Sequence, residues 1–367
     1  MLTKIIIPAL FFFSCSLSAC AAPAELPPEA KSSPKDTAAQ SNTQIVAAQT
    51  TTRTPTSTPE LTQDQRFAQW KTDFIQEATS KGYNNAQVSA LISPAKINEL
   101  ALDRDSNQPE FSRPIWAYVD GAVSADRLNR GKAALADHTA DFNAVTARYP
   151  VDRNILTAIW GLETSYGRIL GNHNIVDALS TFAFEGRRQK VGTEQLYAVL
   201  DMLRAGDIRA DQLTGSWAGA MGMTQFIPAT FRDYAVDLDG DGNKNLWESE
   251  QDALGSAAHY LARHGWRKTE PVITEIRLPA NFDYSLSDGQ KKTIAEWEAL
   301  GINSLDGRAW SQSSKALEAR LLVPAGHKGP KLLAFKNFDV IMKYNRSTSY
   351  ALGISSCLLY TSPSPRD

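Results

Sequence analysis

Cysteine is scarce: the 367 residues hold three, Cys15, Cys20 and Cys357, too few for a disulfide framework. The five histidines are scattered, with no H-E-x-x-H, and His259 and His264 are five apart and share a helix face poorly. Zinc-peptidase or amidase chemistry is therefore disfavoured. The G-x-S-x-G signature of serine hydrolases is also absent. Neither sign of charge dominates: 38 Lys and Arg oppose 40 Asp and Glu, a formal net charge of −2, so there is no basic field for nucleic acid or an anionic membrane surface. No apolar run reaches the length of a spanning helix, and no internal repeat is visible. What remains is a globular composition, 43% hydrophobic and 21% charged, long enough for a substantial core divided between subdomains.

The N-terminus supplies an export signal instead. Met1 to Cys20 carries Lys4, an apolar run from Ile5 to Phe13, and then small residues. Leu17-Ser18-Ala19-Cys20 resembles a bacterial lipobox. The resemblance implies that residues 1–19 are removed and Cys20 is lipidated, and Ala21 in place of Asp implies sorting to the outer membrane. Residues 20–60, rich in Ala, Pro, Ser, Thr and Gln, read as a flexible tether. A coil of roughly 40 such residues spans about 35 Å. At the other end, residues 357–367 (CLLYTSPSPRD) resemble a translated sequencing-adaptor read-through, so they are expected to be a non-native tail and the natural C-terminus to be missing.

Between these ends the pattern is mainly helical. Phe67, Trp70, Phe74 and Ala78 recur at three or four residues, and Asn84 caps another short helix. Asp126 to Tyr149 reads as one long amphipathic helix that Pro150 stops. Asn154–Glu163, Gln195–Ala205 and Asp252–His264 are further helices, the first mostly apolar and therefore buried. From Pro271 to Pro324 the texture changes to short β-like runs such as Val272–Leu278 and Ala316–Pro324. The expected class is mainly α (α+β): a helical domain over 61–150, a catalytic core over 151–269, a small β-containing insertion over 270–330, and a return to the core over 331–356.

Within GLETSYGR (Gly161–Arg168), Glu163 sits where an apolar helix meets an aromatic, glycine-containing turn. Ile155, Leu156, Ile159, Trp160 and Tyr166 would strip water from its carboxyl, which raises the pKa of a carboxylic acid and suits a proton donor to a glycosidic oxygen. A solvated Glu at a helix C-terminus is the plainer alternative. Ala158–Phe184, Gly215–Pro228 (GSWAGAMGMTQFIP) and Tyr344–Tyr350 (YNRSTSY) together resemble the membrane-bound lytic murein transglycosylase B family, glycoside hydrolase family 103.

That resemblance extends from about Leu61 to Ser356 and implies a lysozyme-like core with Glu163 as the single acid/base. It implies cleavage between N-acetylmuramic acid and N-acetylglucosamine in peptidoglycan, with closure of a 1,6-anhydro ring, in an enzyme that works as a monomer. One carboxylate then suffices, because the nucleophile belongs to the sugar itself. A hydrolytic muramidase needs a second carboxylate, for which Asp177 and Glu185 are nearest. A non-catalytic wall-binding lipoprotein needs none. The resemblance further implies that Ser216 and Gln225 line the cleft and that Tyr118, Tyr260, Tyr344, Asn345 and Tyr350 form its walls. Gly219 and Gly222 suit a close backbone approach, and Arg187 and Arg188 meet either stem-peptide carboxylates or solvent.

The segment AVDLDGDGNKNLWES fits an EF-hand calcium loop: Asp237, Asp239, Asp241, Gly242, Asn243, Asn245 and Glu248 occupy positions one, three, five, six, seven, nine and twelve. An Asp/Gly-rich turn that binds nothing is the alternative. Lys244 stands where paired EF-hands place an apolar residue, so the loop reads as solitary and its Ca²⁺ as structural. By resemblance Asp252, just beyond the loop, competes with Glu248 as the final acidic ligand, and the sequence leaves the two open. No organic cofactor is expected.

Overall fold

The computed structural model describes residues 60–106, 114–287 and 289–361. The signal segment, Cys20 and nearly all of the tether lie outside the described residues. Helix α1 (Gln63–Ser80) starts with a capping box: the Thr62 hydroxyl accepts from the Gln65 amide, and the Gln65 side chain accepts from the Thr62 amide at 2.9 Å. Phe67, Phe74 and Ala78 are its buried positions, as the periodicity requires. Asn84 caps α2 (Asn85–Ile92), its Oδ1 accepting from the Gln87 amide at 3.0 Å, and α3 (Glu99–Ser106) and α4 (Ile115–Ala122) follow.

The single long helix expected from Asp126 to Tyr149 is two, α5 (Ala125–Asp137) and α6 (Thr139–Arg148). His138 breaks it with φ −107° and ψ 30°. Its ring packs edge-on against Trp160 at 5.2 Å, and its Nδ1 lies 3.2 Å from Asp141 in the first turn of α6. Amphipathic spacing survives such a break, because the two halves bury the same stripe.

Helix α7 (Arg153–Thr164) is almost wholly buried and carries Glu163 near its end. Strand β1 (His173–Asn174) then leads into α8 (Ile175–Phe184) and α9 (Gln189–Ala205). Strand β2 (Thr214–Gly215) pairs antiparallel with β1, with His173 opposite Gly215, drawing the chain that follows α7 onto the Gly-rich segment. Helices α10 (Pro228–Tyr234) and α11 (Glu250–Arg263) flank the acidic loop. One hydrophobic core takes in Phe67 of α1, Phe142, Ile155, Leu156, Ile159, Phe231 and Leu254 of α11, while Ala101 of α3 packs in a small separate cluster with Phe182, Trp217 and Ala218.

A second, smaller core belongs to the β-containing part: β3 (Ile273–Arg277), β4 (Lys291–Thr293), α12 (Ile294–Ala299), β5 (Asn303–Ser304), β6 (Glu318–Leu322) and β7 (Leu332–Ala334). The sheet order is β4-β6-β7-β3-β5, antiparallel throughout, and Trp297 fills its core with the indole N–H donating to the Ala319 carbonyl. Helices α13 (Lys336–Tyr344) and α14 (Thr348–Thr361) return to the main body. Helix α14 runs without a break across residue 357, where a tail foreign to the fold was expected to begin. Cys357 is buried, its Sγ 3.4 Å from the Ala122 carbonyl, and burial pushes its thiol up to about 11. Among the described residues no helix is long and apolar enough to cross a membrane.

The entrance to and exit from the sheet are clasped by one buried amide. Asn337 Oδ1 accepts from the Arg267 amide at 2.9 Å, while its Nδ2 donates to the carbonyls of Arg267 at 2.8 Å and Glu270 at 2.6 Å. Glu270 reciprocates by accepting from the Lys336 amide at 2.9 Å. Replacing Asn337 with Ala strands three backbone groups, so it is expected to cost about 2–3 kcal/mol, read as a lower midpoint in thermal unfolding.

Candidate active site

Glu163 is half-buried, on the last turn of α7. The chain then turns sharply: Ser165, Tyr166 and Gly167 are consecutively left-handed, at φ 51°, 63° and 76°. Two side chains of that region fasten it to the Gly-rich segment. The Thr164 hydroxyl donates to the Met223 carbonyl at 2.7 Å and accepts from the Gly167 amide at 3.1 Å. Gln225 donates from Nε2 to the Leu170 carbonyl at 3.2 Å and to that of Gly222 at 3.0 Å, and is itself left-handed at φ 51°. Gly222 answers the expected close approach, since a Cβ there would stand 2.6 Å from Leu246.

Tyr350, on α14, donates its hydroxyl to Glu163 Oε1 at 2.7 Å. Only 2% of it is exposed, so it sits beneath the acid rather than along an open wall, because its ring has been drawn into the main core. Tyr118 lies beside Leu162, both within 3.4 Å of where a Cβ on Gly353 would be, next along the helix from the acid. Tyr344 donates to the Thr224 carbonyl at 2.6 Å, and Tyr260 to the Lys343 carbonyl at 2.7 Å. Their rings meet edge-on at 5.3 Å, with Phe226 about 6 Å from each. Asn345 is buried and its Oδ1 accepts from the Ser347 amide at 3.0 Å, shaping the turn between α13 and α14. Ser216 Oγ accepts from the amides of Ala218 and Ala220 at 3.3 and 3.0 Å; its hydroxyl proton is left over for donation.

The carboxylates a hydrolase would recruit are engaged elsewhere. Asp177 accepts from the Lys96 amide at 3.0 Å, and Glu185 from Gln63 at 2.9 Å. Arg187 and Arg188 converge on the buried Asp105 at 2.9 and 2.7 Å, which fixes α3 to the body. The sequence reading missed Thr164, whose partner lies 59 residues away.

His264 stacks on Tyr260 at 4.0 Å and its Nδ1 meets the Tyr260 carbonyl at 2.8 Å. Burial holds its pKa below the ordinary 6.5, and burial followed by the charge of Arg104 does the same for His173. These two imidazoles therefore bind fewer protons in the folded chain than in the unfolded one in the window below about 6.5, and their contribution to stability falls as pH drops through it. Thermal midpoints measured from about pH 7 to pH 5 are expected to decline, and less steeply in His264→Gln.

The acidic loop gathers three carboxylates: one oxygen each of Asp237, Asp239 and Asp252 lies within 4.8 Å of the others. Asp252 is fully buried on α11 and accepts from the amides of Leu238 at 2.6 Å and Asn245 at 2.8 Å. Burial pushes its carboxyl upward, against the pull of those amides. Glu248 is exposed and stands outside the trio, 3.4 Å from Asn245 Nδ2. Asp241 is exposed, its Oδ1 accepting from the Asn243 amide at 2.8 Å. Asn245 Oδ1 accepts from the Trp247 and Glu248 amides, both at 3.1 Å. Gly242, at φ 93°, makes the turn. Three converging carboxylates, Asp237 and Asp239 exposed and Asp252 buried, are hard oxygen donors that fit a divalent metal of the calcium type.

A mainly helical body that presents one carboxylate from the end of a buried helix, with tyrosines and amides around it, defines a lysozyme-like glycan-cleaving enzyme. The chain belongs, more narrowly, to the family described as Transglycosylase SLT domain, which its residues 66–357 match. It is 31% identical over 297 residues to membrane-bound lytic murein transglycosylase B of Escherichia coli strain K12, covering 77% of this chain and 79% of that protein. Among solved structures it resembles SltB3 of Pseudomonas aeruginosa in complex with NAG-NAM-pentapeptide, at 42% identity and TM-score 0.76, over 79% of this chain and 78% of that one. It also resembles the Escherichia coli lytic transglycosylase Slt35 in complex with calcium, at 30% identity and TM-score 0.69, over 80% and 92% of the two chains.

Proposed function

We propose that Glu163 is the single acid/base of a peptidoglycan lytic transglycosylase. The chain is such an enzyme by family, and what carries the assignment of the residue is the 2.7 Å bond from the buried Tyr350 hydroxyl, which aims Oε1 from the end of α7. Glu163, protonated, gives its proton to the oxygen linking N-acetylmuramic acid to N-acetylglucosamine, and the C1–O bond breaks. The substrate's N-acetyl group shares the charge at C1. Glu163, now a carboxylate that Tyr350 stabilises by donation, takes the proton of the muramyl C6 hydroxyl as that oxygen closes on C1. The engagement of Asp177 and Glu185 elsewhere supports this over hydrolysis. Mass spectrometry of digested wall material is the test: anhydro ends are expected, and reducing ends heavier by one water would assign a muramidase.

Tyr118, Tyr260 and Tyr344 offer apolar ring faces to the sugars, and Ser216, Gln225 and Asn345 their polar edges, while Tyr350 works from below. A structural Ca²⁺ is held by Asp237, Asp239 and Asp252, with Asp241, Asn243 and Asn245 supplying further loop oxygens. Cys20 anchors a monomeric periplasmic enzyme to the outer membrane through lipid. Radiolabelled palmitate incorporated by the full chain and lost in Cys20→Ser checks the anchor.

A further inference from the structure

We propose that Tyr166 is a positioning residue for Glu163, a latch that holds the last turn of α7 in its working direction; the inference rests on Glu163 being the acid. Tyr166 occupies a left-handed conformation that a bulky residue avoids, and Ser165 before it does the same. Such a turn persists only where the surroundings over-determine it.

The surroundings here are a slot between two helices. Gly131 on α5 and Gly161 on α7 face the Tyr166 ring, and a Cβ would stand 2.8 Å from its hydroxyl at the first position and 2.6 Å from its Cζ at the second. The ring meets Trp160 edge-on at 5.9 Å, and the hydroxyl donates to the Arg127 carbonyl at 2.8 Å. Burial pushes that phenol up to about 12, in keeping with a group that stays protonated and donates. The glycine two residues before Glu163 thus has a purpose: it admits the tyrosine three residues after it.

Without the ring the turn is free to relax to right-handed geometry, and each residue of added helix rotates the downstream chain by about 100°. The Thr164–Met223 and Gln225–Leu170 bonds, which register this turn against the Gly-rich segment, would shift, and with them the alignment of Glu163 on Tyr350.

The test is steady-state turnover of purified glycan strands by the full chain carrying Tyr166→Phe, Tyr166→Leu or Tyr166→Ala, the last also combined with Glu163→Gln. Tyr166→Ala is expected to lower kcat about 10²-fold with KM within about twofold, the scale of a catalytic group displaced by about 1 Å. Tyr166→Phe, which keeps the ring in the slot, is expected to restore kcat to within about threefold of the parent, and Tyr166→Leu to fall between. Adding Tyr166→Ala to Glu163→Gln is expected to cost nothing further, since two residues acting through one step are not additive. Parental kcat in Tyr166→Ala overturns the proposal, as does a further loss in the double variant. Unfolding of both the Ala and the Leu variants also overturns it, by assigning the ring to global stability. Normal turnover in Glu163→Gln alone would instead remove the acid on which the inference rests.

Discussion

Glu163→Gln is expected to lose anhydro-product release by about 10³-fold or more while still binding glycan. General acid–base catalysis by one positioned group contributes about 10²–10⁴-fold, and Glu163 serves twice, as acid in bond cleavage and as base in ring closure. A loss of 10³ corresponds to about 4 kcal/mol of transition-state stabilisation. Glutamine keeps the shape, and its carbonyl still accepts from Tyr350, so the ground-state site is preserved. Chromatography of released anhydro-muropeptides should show the loss, and calorimetry with NAG-NAM fragments should show affinity within about twofold of the parent. Asp177→Asn and Glu185→Gln are expected to turn over within about twofold of the parent, their carboxylates serving Lys96 and Gln63 instead. A Glu163→Gln enzyme with near-normal turnover would sink the single-acid mechanism.

The range of each interaction decides whether the sequence reveals it. Asn84 announces a helix start because a cap acts over three residues. The acidic loop is equally plain, since its donors alternate along one short stretch. Resemblance places Tyr350 among the cleft tyrosines, but its bond to Glu163 spans 187 positions, and nothing local tells a wall from a support. The break at His138 is hidden for a related reason: the His138–Trp160 contact that favours it is tertiary, while the apolar stripe runs on through both helices. Which of Glu248 and Asp252 lies beside Asp237 and Asp239 is also three-dimensional: it is Asp252, carried on α11, while Glu248 precedes that helix.

Chelation of Ca²⁺ is expected to lower the thermal midpoint by about 5–10 °C, and Asp252→Asn, not Glu248→Gln, is expected to abolish that response. A ligand at a hundred times its Kd stabilises the folded state by about 2.7 kcal/mol, and for a domain of about 200 residues each kcal/mol moves the midpoint by about 2–4 °C. The asymmetry between the two acids follows from burial. Asp252 has no exposure, and the amides of Leu238 and Asn245 fix both its oxygens, so the carboxylate is built in; Glu248 is at the surface. Without the cation, Asp237, Asp239 and Asp252 repel one another across less than 4.8 Å, one of them away from water. The disturbance also reaches the cleft. The Met223 amide donates to the Leu246 carbonyl at 2.7 Å, and Met223 in turn accepts from Thr164 beside the acid. Helix α11 carries Tyr260 on the other flank. Turnover is therefore expected to fall with the midpoint and to recover on adding Ca²⁺ but not Mg²⁺, which demands tighter octahedral geometry than three converging carboxylates on a flexible loop supply. Differential scanning calorimetry of the parent and both variants, with and without chelator, reads the midpoints, and turnover assays under the same conditions read the rest. A midpoint indifferent to chelator in the parent, or a response lost in Glu248→Gln and kept in Asp252→Asn, would refute the assignment.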